Sequence, residues 1–297
     1  MDRVHLSPTV SLSRIVYGMW RIGDDDDTSP KHIQAKIEAC LAQGITPLDQ
    51  ADIYGAYGAQ TLLGNTLKNA PGLRDKVEIV SKCGIIAPMG RYAEKPVKYY
   101  DTSREHIQAS VEASLQEMSI EQIDLLLIHR PDPFMDHIET GRALDELVSS
   151  GKVKAVGVSN FKPHDWDLLQ SAMTTQLATN QIELSVMAID AFANGDLAHL
   201  QKRNIPPMAW SPLGGGALFA SPLANIARVL QRLADELQSD IASLALAWLI
   251  AHPARIIPVA GTNSLHRIRQ IGGTLQTPLD RETWFKIYSA ALGRDVP

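Results

Sequence analysis

Short runs of uninterrupted apolar residues alternate along this chain with longer stretches whose apolar positions recur every three or four residues. The runs fall at residues 15–19, 45–48, 77–81, 125–128, 153–158, 177–180, 207–210 and 256–259. Runs this short with no polar face predict strands buried on both sides, as in a parallel sheet. The longer stretches, 31–43, 60–68, 104–118, 138–149, 165–171, 195–203 and 225–238 with 241–251, predict helices, and a last helix is expected from Leu265. Eight strands each followed by a helix favour an α/β fold, a (β/α)8 TIM barrel spanning 1–297 as one domain. An N-terminal β-hairpin is expected over 4–11 with Pro8 in its turn. The stretch 84–103 follows neither period and is expected to be a long irregular loop, a feature compact domains usually keep for function.

Composition narrows the classes. The 297 residues are 45% hydrophobic and 21% charged, the profile of a soluble globular protein with a sizeable core. A formal net charge of −5 argues against nucleic acid or an anionic membrane as a partner. Cys40 and Cys83 make no CxxC pair, and the N-terminus has no continuous apolar segment of the signal-peptide kind. A reducing, cytoplasmic setting is therefore expected. The apolar run 241–251 is shorter than the ~20 residues a spanning helix needs and reads as a buried helix. No GxGxxG follows the first run and no P-loop occurs, which disfavours an open dinucleotide-binding sheet. Four consecutive aspartates at 24–27 lack accompanying His or Glu spacing and read as a solvated loop, so no metal is expected. Oligomeric state is left open.

The chemistry collects where barrels keep it, at the C-terminal ends of the strands. Asp49 ends the second run, Lys82 follows the third and His129 the fourth, while Tyr54 lies five residues past Asp49. A lysine at a barrel rim is costly to desolvate unless paired, and neighbouring strands ~4.8 Å apart bring Asp49 within reach. A structural ion pair and a catalytic one fit that observation equally. Tyr54 tips the balance, because an adjacent ammonium is expected to lower the pKa of its phenol toward working pH. Such a group donates a proton to a carbonyl oxygen, with His129 polarising the same atom. Further along, the strands end in Ser159-Asn160, Asn180-Gln181 and Trp210-Ser211, which by themselves read sooner as turn chemistry, a buried amide and core packing than as a binding site. The loop aromatics Trp20, Tyr92, Tyr99, Tyr100 and Phe134 are placed over the mouth, where they would shape an apolar substrate pocket.

The run Leu48-Asp49-Gln50-Ala51-Asp52-Ile53-Tyr54-Gly55 resembles the FDTAxxYG signature of the aldo-keto reductases. Lys82 and the run from Leu126 to Asp132 resemble that family's other two tetrad positions, and Gly157 to Phe161, Asn180 to Glu183 and Trp210 to Leu213 its later motifs. The resemblance holds in order over roughly 14–275, and Lys98 to Ile107 looks most like the bacterial predicted-oxidoreductase subgroup. It implies hydride transfer from NADPH to a small aldehyde or ketone. Tyr54 would be the general acid, Lys82 its neighbour, Asp49 the lysine's partner and His129 the orienting group, with Trp20, Tyr54 and His129 lining the substrate pocket. Ser159, Asn160 and Gln181 would hold the nicotinamide carboxamide, Trp210 would stack on its ring, and Ser211, Leu213, Gly261, Thr262 and Arg267 would follow the rest of the dinucleotide. A dinucleotide-binding sensor or regulatory subunit with little turnover is the alternative the same resemblance suggests.

The phosphate end has a signal of its own. No acidic residue occurs between Asp240 and Asp280, whereas Arg255, Arg267, Arg269, His252 and His266 do. Gly261-Thr262-Asn263-Ser264 reads as a turn and N-cap, which puts His266, Arg267 and Arg269 in the first turns of a helix. Cations there oppose the helix dipole by ~0.3–1 kcal/mol each, a sign that a bound anion reverses. Arg267 matches a family arginine associated with the 2′-phosphate. Gly261 stands where many members carry a lysine or arginine, so NADPH is expected with NADH left open.

Overall fold

The computed structural model describes residues 1–220 and 225–297. It begins with an antiparallel hairpin, β1 (Arg3–His5) against β2 (Ser11–Ser13). The second strand starts where the sequence suggested the hairpin would end, so the turn around Pro8 is wider, closed by the Leu6 and Ser7 N–H groups on Val10 O. The barrel strands follow: β3 (Val16–Gly18), β4 (Pro47–Asp49), β5 (Glu78–Cys83), then, beyond the short ribbon of β6 (Ile85–Ile86) and β7 (Tyr99–Tyr100), β8 (Ile123–Ile128), β9 (Val153–Ser159), β10 (Asn180–Glu183), β11 (Met208–Trp210) and β12 (Ile257–Ala260). Among the described residues these eight are parallel, neighbour one another in chain order, and close where β12 pairs with β3.

The helices are α1 (Pro30–Leu41), the four-residue turn α2 (Tyr54–Tyr57), α3 (Ala59–Asn69), α4 (Arg104–Met118), α5 (His137–Ser149), α6 (Pro163–Gln170), α7 (Asp196–Lys202), α8 (Ala217–Ala220), α9 (Asn225–Glu236), α10 (Ile241–Ile250), α11 (Leu265–Ile268) and α12 (Arg281–Leu292). Their starts are set by side-chain caps. Ser29 accepts the His32 N–H, Ser103 the His106 N–H, Asp136 the Ile138 and Glu139 N–H groups, and Asp240 the Ser243 N–H. Each satisfies backbone donors that a helix leaves open.

Strand periodicity then places the polar groups. Along β5, Ile79 and Cys83 belong to the layer between strands and helices, whereas Val80 belongs to the barrel interior. Side chains two apart share a face, so Lys82 points inward above Val80. The interior is filled by Val16, Val80, Leu125, Leu127, Ala155, Ala178, Met208, Ile257 and Val259, and Val4, Val10 and Leu12 of the hairpin region pack into the same cluster. With that end stopped by apolar side chains, the C-terminal ends of the strands hold the polar ones.

Three elements differ from the sequence reading. The sixth barrel strand lies three residues later than its apolar run, because Ala178 N–H and Thr179 O only begin the pairing with β9 and the ladder continues through Gln181 to Glu183 beside β11. The 84–103 stretch is not irregular: it carries the β6–β7 ribbon and a 3-10 turn at Gly90–Tyr92. The helix begun at Leu265 is one turn long, and the chain ends in the separate helix α12.

Helix α12 is docked by paired indoles. Trp284 stacks on Trp248 at 5.1 Å and 17°, and each indole N–H donates to the other residue's carbonyl, at 3.0 and 3.1 Å. Phe192 and Tyr288 complete the cluster. Trp284→Ala removes the stack and leaves a cavity, so we expect a loss of about 2–4 kcal/mol and a fall in Tm of several degrees, read by thermal denaturation. An unchanged Tm would show that α12 is held by something else.

Candidate active site

Lys82 is the hub. The residue is 1% exposed, and its ammonium donates to Asp49 Oδ2 at 2.6 Å, to Gln50 O at 2.9 Å and to the Tyr54 hydroxyl at 3.0 Å. Those three bonds use every donor an ammonium has. The other oxygen of Asp49 accepts from Gln181 Nε2 at 2.8 Å, which ties β4 to β10 across the barrel. Lysine and aspartate thus neutralise each other in a place where an unpaired ion costs several kcal/mol. Tyr54 and His129 meet edge to face with ring centroids 5.9 Å apart. The four side chains anticipated at successive strand ends therefore stand together.

Their protonation differs from the sequence expectation in one respect. Burial is the largest influence on the Tyr54 phenol and raises its pKa; the Lys82 ammonium pulls it down, Asp49 pushes it up, and the net result lies above the ordinary value rather than below it. The ammonium is present as expected, but its charge is shared with Asp49 and the phenol is too deep in the barrel mouth for the pull to win. Lys82 is itself opposed by burial, yet Asp49 and Tyr54 hold its pKa above normal. His129 falls well below its normal value through burial, then through Lys82, Arg130 and Lys98, so the imidazole is neutral. Its Nδ1 is buried without a hydrogen-bond partner.

Tyr54 is carried on an unusual backbone. Gly55, Ala56 and Tyr57 all have positive φ (57°, 51° and 69°), a conformation that costs roughly 1–2 kcal/mol for each residue bearing a Cβ. The 84–103 stretch supports it. Tyr57 donates its hydroxyl to Ile85 O at 3.1 Å and accepts the Ala87 N–H at 3.0 Å. Arg91 lies 4.9 Å over the Tyr57 ring and 5.6 Å over Tyr92, and pairs with Glu117 at 2.7 Å. Gly90 sits so close that a Cβ there would come within 2.1 Å of Ala56 O. Nothing in the local sequence of Tyr54 announces these contacts.

The opposite side of the mouth is also cross-linked. Asn160 donates to Ser159 Oγ at 2.8 Å and accepts the Trp210 indole N–H at 2.8 Å, while Ser159 Oγ donates to Gln181 O at 2.8 Å. Gln181 Oε1 accepts no hydrogen bond from a described residue. After β11, Ser211 has φ 49° and Gly214, Gly215 and Gly216 have φ 62°, 63° and 101°, a glycine loop beside half-buried Leu213. Ser264 caps α11 as expected, accepting the Arg267 N–H at 3.4 Å, and Thr262 O accepts from the Tyr17 hydroxyl at 3.1 Å. His266, Arg267 and Arg269 are exposed. At Gly261 a Cβ would lie 2.9 Å from Gly18 O, so a side chain there would crowd the end of β3.

Three of the loop aromatics expected over the mouth differ in their surroundings. Tyr92 packs on Tyr57 of α2 at 5.1 Å, and Phe134 is 95% exposed. Trp20 is 55% exposed with Arg21 4.8 Å over its ring. Within the aspartate run, Asp25 pairs with the fully buried Lys36 and Asp27 accepts the Ser29 N–H at 2.8 Å.

Asp52 escaped the sequence reading. It is 1% exposed, neither carboxylate oxygen has a well-formed hydrogen bond, and burial pushes its pKa to about 7 against the pull of Arg91. Because that value lies above the ~3.9 of an unfolded aspartate, the folded chain holds an extra proton between the two and loses stability as pH rises through that window. Asp52→Asn removes the slope. We expect the variant's Tm to exceed wild type at pH 8 and the difference to shrink toward pH 5; a difference independent of pH would refute the buried, neutral carboxyl.

Comparison with known proteins agrees with this geometry. The chain is 61% identical over 296 residues, and over the full length of both, to 6-dehydroglucose reductase of Agrobacterium fabrum strain C58. It is 41% identical over 300 residues, again at full coverage, to oxidoreductase YdhF of Escherichia coli K12. Its fold matches an aldo/keto reductase from Klebsiella pneumoniae, crystallised with NADP and acetate, at a TM-score of 0.78 and 24% identity, over 94% of this chain and 91% of that one. The model of the aldo/keto reductase family matches residues 14–291, and the chain belongs to that family.

Proposed function

We propose that this protein uses NADPH to reduce an aldehyde carried on a sugar, 6-dehydroglucose being the substrate that the name of the A. fabrum relative supplies. The observation that carries the reading is the Lys82 hub, which holds the Tyr54 hydroxyl beside a neutral His129. Around it the residues fit a nicotinamide dinucleotide. Gln181 Oε1 is available to a carboxamide N–H, the half-buried Trp210 ring is fixed by Asn160, and three successive glycines of positive φ allow a close backbone approach. The Klebsiella structure, with its NADP, supports the choice of cofactor. When bound, NADPH supplies the hydride.

The chain's own residues handle the proton. Lys82 donates to the Tyr54 oxygen, so the phenolic hydrogen is left to point at a carbonyl oxygen. A raised pKa keeps that hydrogen in place at rest. As it passes to the substrate oxygen, negative charge grows on the phenol, and Lys82 is already bonded to the atom that receives it. The ammonium therefore acts on the developing phenolate more than on the resting group. His129, neutral, donates its ring N–H to the same carbonyl oxygen.

Tyr54→Phe keeps the ring and removes the proton. We expect kcat to fall about 10²–10⁴-fold with NADPH affinity near wild type, the range typical of general acids. Undiminished NADPH oxidation with the aldehyde would eliminate Tyr54 as donor. For the cofactor, Arg267→Ala is expected to weaken NADPH at least tenfold and leave NADH little changed, about the loss of one charge-assisted phosphate contact. Equal weakening of both, by titration, would remove the 2′-phosphate role.

A further inference from the structure

The mechanism leaves two cations at the mouth unused. Arg130 directly follows His129, and its guanidinium lies 5.6 Å over the Trp210 ring. Lys98 precedes β7 on the ribbon that extends from the end of β5. Arg130 is thus placed by its neighbours His129 and Trp210, and Lys98 by the start of the strand that pairs with Ile85–Ile86; the charges of both reach His129. Of the other cations in this region, Lys82 pairs with Asp49, Arg91 with Glu117 and Arg104 with Glu146, while Arg21 reaches only Gly215 O, at 3.5 Å. Lys98 and Arg130 have neither a side-chain hydrogen bond nor an ion pair with a described residue. The nearby acids are engaged in shaping their own loops: Asp101 accepts the Ser103 N–H at 3.0 Å, and Asp132 accepts Thr102 Oγ1 at 2.9 Å and the Phe134 N–H at 2.8 Å.

Arginine and lysine donate hydrogen bonds and accept none. A substrate lying between them and Tyr54 satisfies them only by presenting acceptor oxygens near its carbonyl. An alkyl aldehyde offers none and would desolvate both cations without compensation. A chain of hydroxyls offers several, and charged donors bind such oxygens more strongly than neutral ones. We propose that Lys98 and Arg130 form the specificity subsite, holding the hydroxyl groups of a polyhydroxylated aldehyde while Tyr54 and His129 take its carbonyl. This rests on the reductase reading above and adds the feature of the substrate that is selected and the residues that select it.

The test uses two pairs of aldehydes with NADPH. D-Glyceraldehyde and propanal share a carbon skeleton and differ in two hydroxyls; succinic semialdehyde and butanal differ in a carboxylate. Arg130→Met and Lys98→Met keep a long apolar stem and remove the charged donor. Wild type is expected to prefer D-glyceraldehyde to propanal, and each variant to lower that kcat/KM ratio about tenfold or more, mainly through KM. Tm and NADPH affinity, measured alongside, confirm that each variant is folded and loaded. An unchanged ratio overturns the proposal. So does a uniform fall for all four aldehydes, which would mark a structural role. A fall confined to the succinic semialdehyde ratio overturns it in favour of an anion site. No NADPH oxidation by wild type with any of the four removes the reductase reading itself, and this inference with it.

Discussion

The site depends on one buried ammonium having three acceptors. Lys82 sits where an isolated charge would be unstable, and the groups that make it tolerable come from separate parts of the chain: Asp49 and Gln50 at the end of β4, and Tyr54 on the turn beyond it. Asp49 in turn is held from β10 by Gln181. Satisfying the charge therefore fixes the relative positions of three strands and the turn that bears the phenol. The bonds that satisfy the charge also hold the Tyr54 hydroxyl in one place, which is the preorganisation that the proposed chemistry needs.

What the ammonium cannot do is hold the backbone under Tyr54. The left-handed run from Gly55 to Tyr57 is unfavourable by itself, and it persists because the loop between β5 and α4 packs onto it through Ile85, Ala87, Gly90 and Arg91. The same loop carries Lys98. One segment thus braces the turn that bears Tyr54 and also carries Lys98, and its own packing on that turn accounts for its order.

Much of the fold was legible because both periods are strong. α4 occupies the residues its pattern marked, Arg104–Met118, and the barrel strands lie within a few residues of their apolar runs. The sixth strand slipped because its apolar entry, Leu177 to Thr179, is buried before the ladder proper begins. α12 was missed although its signals are present: Asp280 caps it, accepting the Thr283 N–H at 2.7 Å, and Gly293 ends it at φ 72°. Of the site, the positions of Asp49, Tyr54, Lys82 and His129 were readable, since strand ends can be counted. The resting state of the phenol was not, because it is decided by depth of burial, which a sequence does not state. Arg91 and Asp52 were invisible for a related reason: each matters through contacts between loops remote in sequence. Tyr92 and Phe134 lie on loops of the expected end, but side-chain direction within a loop has no period to read.

The hairpin has a consequence for how the molecule is made. Val4, Val10 and Leu12 share their cluster with Met208, Ile257 and Val259, residues separated from them by most of the chain. The hairpin therefore has no complete seat until β12, which closes the barrel, has been made. Its docking is a late event of high contact order, and until then the apolar lining that it covers stays open to water.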